Sequence, residues 1–236
     1  MDYQEYLDQL ETDRTIFATL GHAELDARVA GCPTWDLGDL FGHLGGIHRW
    51  ATTSVTSKSL ELTRPSSQAP AGHQRVDWLV EGLDQLITTL RNTDPLKPCP
   101  TWAGPADAAW WARRQAHETV IHRWDAQSAL GPCDPIPAAT AVDGIQEWLE
   151  LFGPRYKSPE TEPECTIHLH ATDRSDDGEW TVTVGESVTW RAEHAKGDLA
   201  IRGSASDLIL VLWNRIPLVR TETFGDTDLM GRLRPA

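Results

Sequence analysis

Glu118 and His122 stand four residues apart in a stretch that reads as helix, Arg113-Arg114-Gln115-Ala116-His117-Glu118-Thr119-Val120-Ile121-His122-Arg123-Trp124-Asp125. At 3.6 residues per turn they differ by about 40° around the axis, so their side chains stack on one face. A carboxylate and an imidazole placed in this way can close on one metal ion. A second imidazole from another helix would complete a three-ligand site, and Leu40-Phe41-Gly42-His43-Leu44 offers His43. Three protein ligands with one position left open is the pattern of a catalytic zinc centre rather than a structural one.

His117-Glu118 also looks like the start of a zincin motif, in which two His stand at i and i+4 with a Glu beside the first. Here the two His are five apart, roughly 140° around a helix, and do not readily share a metal. Glu118 is therefore read as a ligand rather than as a general base, and His117 points elsewhere. The ordinary alternative for Glu118 and His122 is a surface pair worth a few tenths of a kcal/mol. For His43 it is a hydrogen-bonded core residue, because Leu37, Leu40, Leu44 and Ile47 mark an apolar face that includes its position. An inward polar group still needs a partner, which an inward Glu118 and His122 would supply.

The elements that must position these groups follow from periodicity. A first helix is expected over about 3–30, with Tyr6, Leu10, Phe17, Leu20 and Leu25 at helical spacing. Cys32-Pro33-Thr34 breaks it, and Thr34 is a plausible N-cap for a second helix to about 57. Residues 64–72 read as loop. A third helix is expected over about 73–92, the motif helix over about 105–130, and a fifth over about 138–152, with Pro95, Pro98 and Pro100 interrupting before the motif helix. After Gly153-Pro154 the pattern becomes alternation. Ile167, Leu169 and Ala171 share one face of a strand and Thr166, His168 and His170 the other. Trp180–Val184 alternates again, Gly185-Glu186 turns into Ser187–Ala192, and Leu199–Gly203 is a further strand. Ser204 caps a last helix. Helices followed by strands give an α+β chain, with domains expected at 1–153 and 154–236.

The chain has 236 residues, 40% hydrophobic and 24% charged, enough for one large domain or two small ones. A net charge of −14 argues against nucleic acid and anionic membrane as partners. There is no apolar run long enough to span a bilayer. Met1-Asp2-Tyr3-Gln4-Glu5 lacks a signal pattern, so a cytoplasmic location is expected. Cys32, Cys99, Cys133 and Cys165 form no Cys-x-x-Cys pair and read as free thiols. Only Cys32, just before a helix start, has a setting that lowers a thiol pKa. The eleven Trp are read as core, or as the walls of a pocket for a bulky organic ligand.

Three segments resemble the mycothiol-dependent maleylpyruvate isomerase family, part of a wider DinB-like metalloenzyme superfamily: Cys32 through Leu44, Trp110 through Asp125, and Ala200 through Leu208. The resemblance implies a DinB-like four-helix bundle followed by a small sterol-carrier-like α/β domain. It implies zinc, or another divalent metal, on His43, Glu118 and His122, with mycothiol as thiol cosubstrate in the open position. It also implies an essential Arg in the C-terminal domain, for which Arg202 is the first candidate and Arg215 the second.

The expected function is that of a zinc enzyme in which the thiol attacks a small electrophile, as a cis–trans isomerase of the maleylpyruvate type. The alternatives are a mycothiol S-transferase and a non-catalytic metal- or ligand-binding module. Zinc hydrolysis with Asp39 or Asp125 as base is a further class. Because no cysteine lies on the expected ligand faces, an external thiol is the expected nucleophile. Arg114 and Arg123 are candidates for binding the cosubstrate or its carboxylates. Arg113 belongs to the same run, and at least two of the three are expected to face solvent. His168 and His170 could form a different metal site, against the ordinary reading of alternating exposed polar residues. A monomer or homodimer is expected.

Overall fold

The computed structural model describes residues 1–20, 24–64, 68–155, 162–175 and 177–233, and the chain divides into two compact units, Met1–Asp134 and Pro135–Ala236. The first unit contains α1 (Tyr3–Thr19), α2 (Leu37–Thr56), α3 (Gln74–Arg91) and α4 (Ala108–Leu130), with a short antiparallel ribbon, β1 (Pro98–Cys99) and β2 (Ala106–Asp107), leading into α4. α1 packs on α3 and α4, and α2 packs on α3 and α4.

Each helix start has a chemical reason. Asp2 and Asp36 form capping boxes with Glu5 and Asp39, and the Asp107 carboxylate accepts from the Trp110 N–H. A box of this kind stabilises a helix by about 1 kcal/mol. The cap of α2 is thus Asp36, two residues past the expected Thr34, because Asp36 is the residue with a carboxylate three positions ahead of it. Two apolar clusters fill the bundle. Leu7, Leu10, Leu83, Leu86 and Trp111 lie in one, and Phe17, Leu37, Leu40, Phe41, Leu44 and Leu79 in the other. α2 and α3 approach closely at Gly45, where a Cβ would meet the Trp78 ring at 2.6 Å.

α1 ends at Thr19, well short of the expected residue 30, and residues 21–23 of that expected span lie outside the described chain. Residues 24–36 instead run back to the head of α2. Arg28 and Asp36 form an isolated bridge, the Val29 N–H donates to the Trp35 carbonyl (3.2 Å), and the Leu37 N–H donates to the Ala27 carbonyl (3.0 Å). Val29, 1% exposed, anchors this segment in the core. Its apolar side chain mimics a continuing helical stripe.

The second unit contains α5 (Ala138–Leu151), β3 (Cys165–Ala171), β4 (Glu179–Val184), β5 (Val188–Arg191), β6 (Leu199–Gly203), α6 (Ala205–Leu212) and β7 (Glu222–Gly225). The sheet order is β5-β4-β3-β6-β7, with β3 and β6 parallel and the other pairs antiparallel. Ser204 caps α6 through the Asp207 N–H, as expected. α6 lies against β3 and β6, and α5 packs on α6. The division after Asp134 therefore differs from the expected boundary at 153. α5 is a helix by period but belongs with the sheet by packing.

Candidate metal centre

α2 and α4 bring His43, Glu118 and His122 together. His43 Nε2–H donates to Glu118 Oε1 at 3.2 Å, and His122 Nε2 lies 3.5 Å from the same oxygen. One ligand atom from each residue lies within 4.8 Å of the other two. The His43 and His122 rings meet edge-on with centroids 5.3 Å apart, and Trp35 lies over His43 at 4.7 Å. His117 turns the other way, 3% exposed and edge-on to Tyr6 of α1. The helical-face geometry that separates Glu118 and His122 from His117 is therefore what the structure has.

Two buried charges hold this group. The Asp125 carboxylate, 1% exposed, accepts from His122 Nδ1–H at 2.9 Å. This fixes the ring and leaves Nε2 facing Glu118 and His43, the arrangement by which metal-binding imidazoles are oriented. Arg114, 3% exposed, donates to Glu118 Oε2 at 2.6 Å, which leaves Oε1 toward the two imidazoles. Burial disfavours the charged form of both titrating partners, but the partners win. Bonds from His122 and His43 and the charge of Arg114 hold the Glu118 carboxyl well below its usual range. Bonds to Asp125 and Glu118 raise His122 to about 9. The donor set of two imidazole nitrogens and one carboxylate oxygen, with an oriented imidazole and an anchored carboxylate, fits a divalent transition metal.

The remaining candidates divide. Arg123, 2% exposed, is engaged by Asp13 of α1 at 3.3 Å, by Gln127 at 2.8 Å and by the Asp134 carbonyl at 2.7 Å. It ties helices together and is not at the triad. Nor do two of the three motif-helix arginines face solvent, since Arg114 and Arg123 are both buried. The reason is that α4 is covered by α1 on one side and α2 on the other. In the second unit, Arg202 reaches Glu222 at 3.4 Å from β6, and Arg215 donates to the Trp213 carbonyl at 2.9 Å. Asp125 accepts from His122. Asp39 is taken up in the cap of α2, 3.9 Å from Arg75.

Two residues at the triad are not marked out by the sequence as part of it. Trp35 is one of many tryptophans. Cys32, which lies outside both ligand-bearing helices, offers its sulfur within 4.8 Å of one ligand atom each of His122 and Asp125. The returning segment 24–36 carries both residues, and the sequence signals it only as a break.

Two family models match the chain: the mycothiol maleylpyruvate isomerase N-terminal domain over residues 8–127, and the MDMPI C-terminal domain over 139–232. The chain belongs to the mycothiol-dependent maleylpyruvate isomerase family. Among solved structures, it is similar to the mycothiol-dependent maleylpyruvate isomerase, with TM-score 0.58 and 12% identity over 94% of this chain and 93% of that one. Against a histidine-to-alanine mutant of the mycothiol-dependent maleylpyruvate isomerase the TM-score is 0.64 and the identity 10%, over the same shares. At such identities the likeness to solved structures is one of fold. A search of curated proteins finds no match. Within the family fold, His43, Glu118 and His122 all fall in the span of the N-terminal model, and Arg202 and Arg215 in that of the C-terminal one.

Proposed function

We propose that the chain is a mycothiol-dependent cis–trans isomerase of the maleylpyruvate type, holding a divalent metal, zinc by preference, on His43, Glu118 and His122. The observation that supports it most is the convergence of these three side chains from two helices, in a chain whose family is that of the isomerase. The metal, when bound, lowers the pKa of a thiol and keeps the sulfur as thiolate at neutral pH. Reversible addition of a thiolate to a conjugated double bond makes that bond single and free to rotate, and departure of the sulfur restores it in the trans form with no net change in atoms.

The protein's part is positional. Asp125 holds the His122 tautomer, Arg114 holds the Glu118 carboxylate, and Trp35 packs against the His43 ring. In the second unit, Arg202 is the first candidate for a substrate carboxylate and Arg215 the second. Arg114 serves the cosubstrate indirectly, through Glu118.

The test is turnover of cis-unsaturated diacids by the metal-loaded chain with mycothiol, with glutathione and with no thiol. The expected result is a trans product formed only with thiol, preferring mycothiol. His43→Ala and His122→Ala should each abolish it and lower metal content by one equivalent, while His117→Ala keeps both. A stable S-conjugate as the main product would replace the isomerase with the S-transferase. Equal formation of the trans product without thiol would refute the thiol mechanism, and a cleaved product formed without thiol would favour hydrolysis.

A further inference from the structure

The second unit carries an independent cluster of imidazoles on the face of its sheet opposite Ile167 and Leu169. On β3, His168 and His170 share that face. Strand register sets His170 beside Glu179 of β4 and beside Arg202 of β6, and sets His168 beside Thr181 and Ala200. His168 Nε2–H donates to Glu179 Oε2 at 2.9 Å. His194, from the segment after β5, reaches the same oxygen through Nδ1. His170 Nε2 lies 3.9 Å from the other oxygen. The His168 and His194 rings stand edge to face at 4.9 Å. Three imidazoles thus surround one carboxylate, more than is needed to satisfy it.

We propose that His168, Glu179 and His194 form a second metal site, which takes a divalent cation of the imidazole-preferring kind, zinc first. Their ligand atoms lie within 4.8 Å of one another. Zinc bonds of about 2.0–2.2 Å require ligand atoms about 3.3 Å apart in a tetrahedron. The 2.9 Å between His168 Nε2 and Glu179 Oε2 is close to that spacing. Two ligands come from neighbouring strands, whose register holds them in place. The third comes from a segment pinned next to it, where the Thr181 hydroxyl donates to the Glu193 carbonyl at 3.1 Å. Two nitrogens and one oxygen select zinc, nickel, cobalt or copper over magnesium and calcium, which prefer all-oxygen sets. A cleft of about 660 Å³, lined by the three His together with Arg202 and Phe224, borders the site and gives the ion a way in. The site shares no residue with the His43 group and does not depend on the isomerase reading.

The experiment uses the full chain, stripped with chelator and titrated with Zn²⁺ alone by calorimetry, with bound metal counted after gel filtration. The unaltered chain should bind two equivalents. His194→Ala should bind one; this side chain is 74% exposed, so its loss leaves the fold intact. Glu179→Gln should weaken the second equivalent at least tenfold. His43→Ala/His122→Ala should keep one equivalent, and adding His194→Ala to it should remove that one. With Co²⁺, the His43→Ala/His122→Ala chain should show visible d–d absorption that His194→Ala abolishes. Undiminished binding in His194→Ala, or no equivalent left in His43→Ala/His122→Ala, overturns the second site whatever the fate of the first.

Discussion

A ligand side chain is useful to a metal only when its direction is fixed, and at the His43 group that work falls to Asp125 and Arg114. Neither is a proposed ligand, yet each makes a charge-assisted bond to one, at 2.9 Å and 2.6 Å. Removing such partners typically lowers metal affinity about 10–100-fold without removing a ligand. Asp125→Ala and Arg114→Met should therefore both stay folded by circular dichroism and weaken zinc by that factor in a chelator competition. Affinity equal to the unaltered chain in both would refute the orienting role. At this scale much is legible in the sequence. The four-residue spacing of Glu118 and His122 is helical arithmetic, and the same arithmetic excludes His117. Arg114 also stands four residues from Glu118, but spacing gives neighbours and not rotamers, so the sequence alone offers it to a bound anion instead. Cys32 is not legible, because its approach to His122 depends on how 24–36 returns to α2.

Between elements, α4 carries the burden of the bundle. Its Arg123 is 2% exposed and its partner Asp13 on α1 is fully buried. Breaking such a pair from one side typically costs about 3–5 kcal/mol. Arg123→Met should lose about that much in urea unfolding and leave zinc and mycothiol affinity unchanged; weakened thiol binding in a folded variant would restore Arg123 as a cosubstrate residue. α2 and α4 also meet at His48, fully buried, which shares a 3.0 Å hydrogen bond with Thr119. Burial pushes its pKa down from 6.5 to about 3. The folded state thus binds fewer protons than the unfolded chain between these values. The contribution is fully present above pH 6.5 and is lost as pH falls toward 3, at about 1.4 kcal/mol per unit. Burial raises Asp13 to about 6, which acts in the opposite direction over its own window. Comparing the unaltered chain with His48→Gln removes that common part. In chelator, the unaltered chain should lose about 2 kcal/mol more than His48→Gln between pH 6.5 and 5; parallel losses would disprove the assignment. Helix existence is legible here throughout. Helix ends are less so, because Val29 and Leu25 continue an apolar period past the true stop at Thr19.

At the scale of the molecule, period tells what each element is but not what it packs on. α5 reads as one more helix of a helical run, and only its contact with α6 places it in the second unit. Net charge belongs to the chain as a whole, and it makes a prediction about the reaction. At −14, the chain repels a dianionic substrate at long range, while any arginine that binds it acts only at close quarters. The Debye length falls from about 30 Å at 0.01 M to about 8 Å at 0.15 M salt, so added salt removes the repulsion before it reaches the contacts. For an unsaturated diacid, kcat/KM should therefore rise several-fold over that range, the change lying in KM rather than in kcat. A neutral diester of the same skeleton should show no such rise, which separates steering from any effect of salt on the fold. A fall in kcat/KM for the diacid with added salt would mean that a cationic site governs its approach from a distance. The acidic surface would then be kinetically silent, and Arg202 and Arg215 would be the first residues to neutralise.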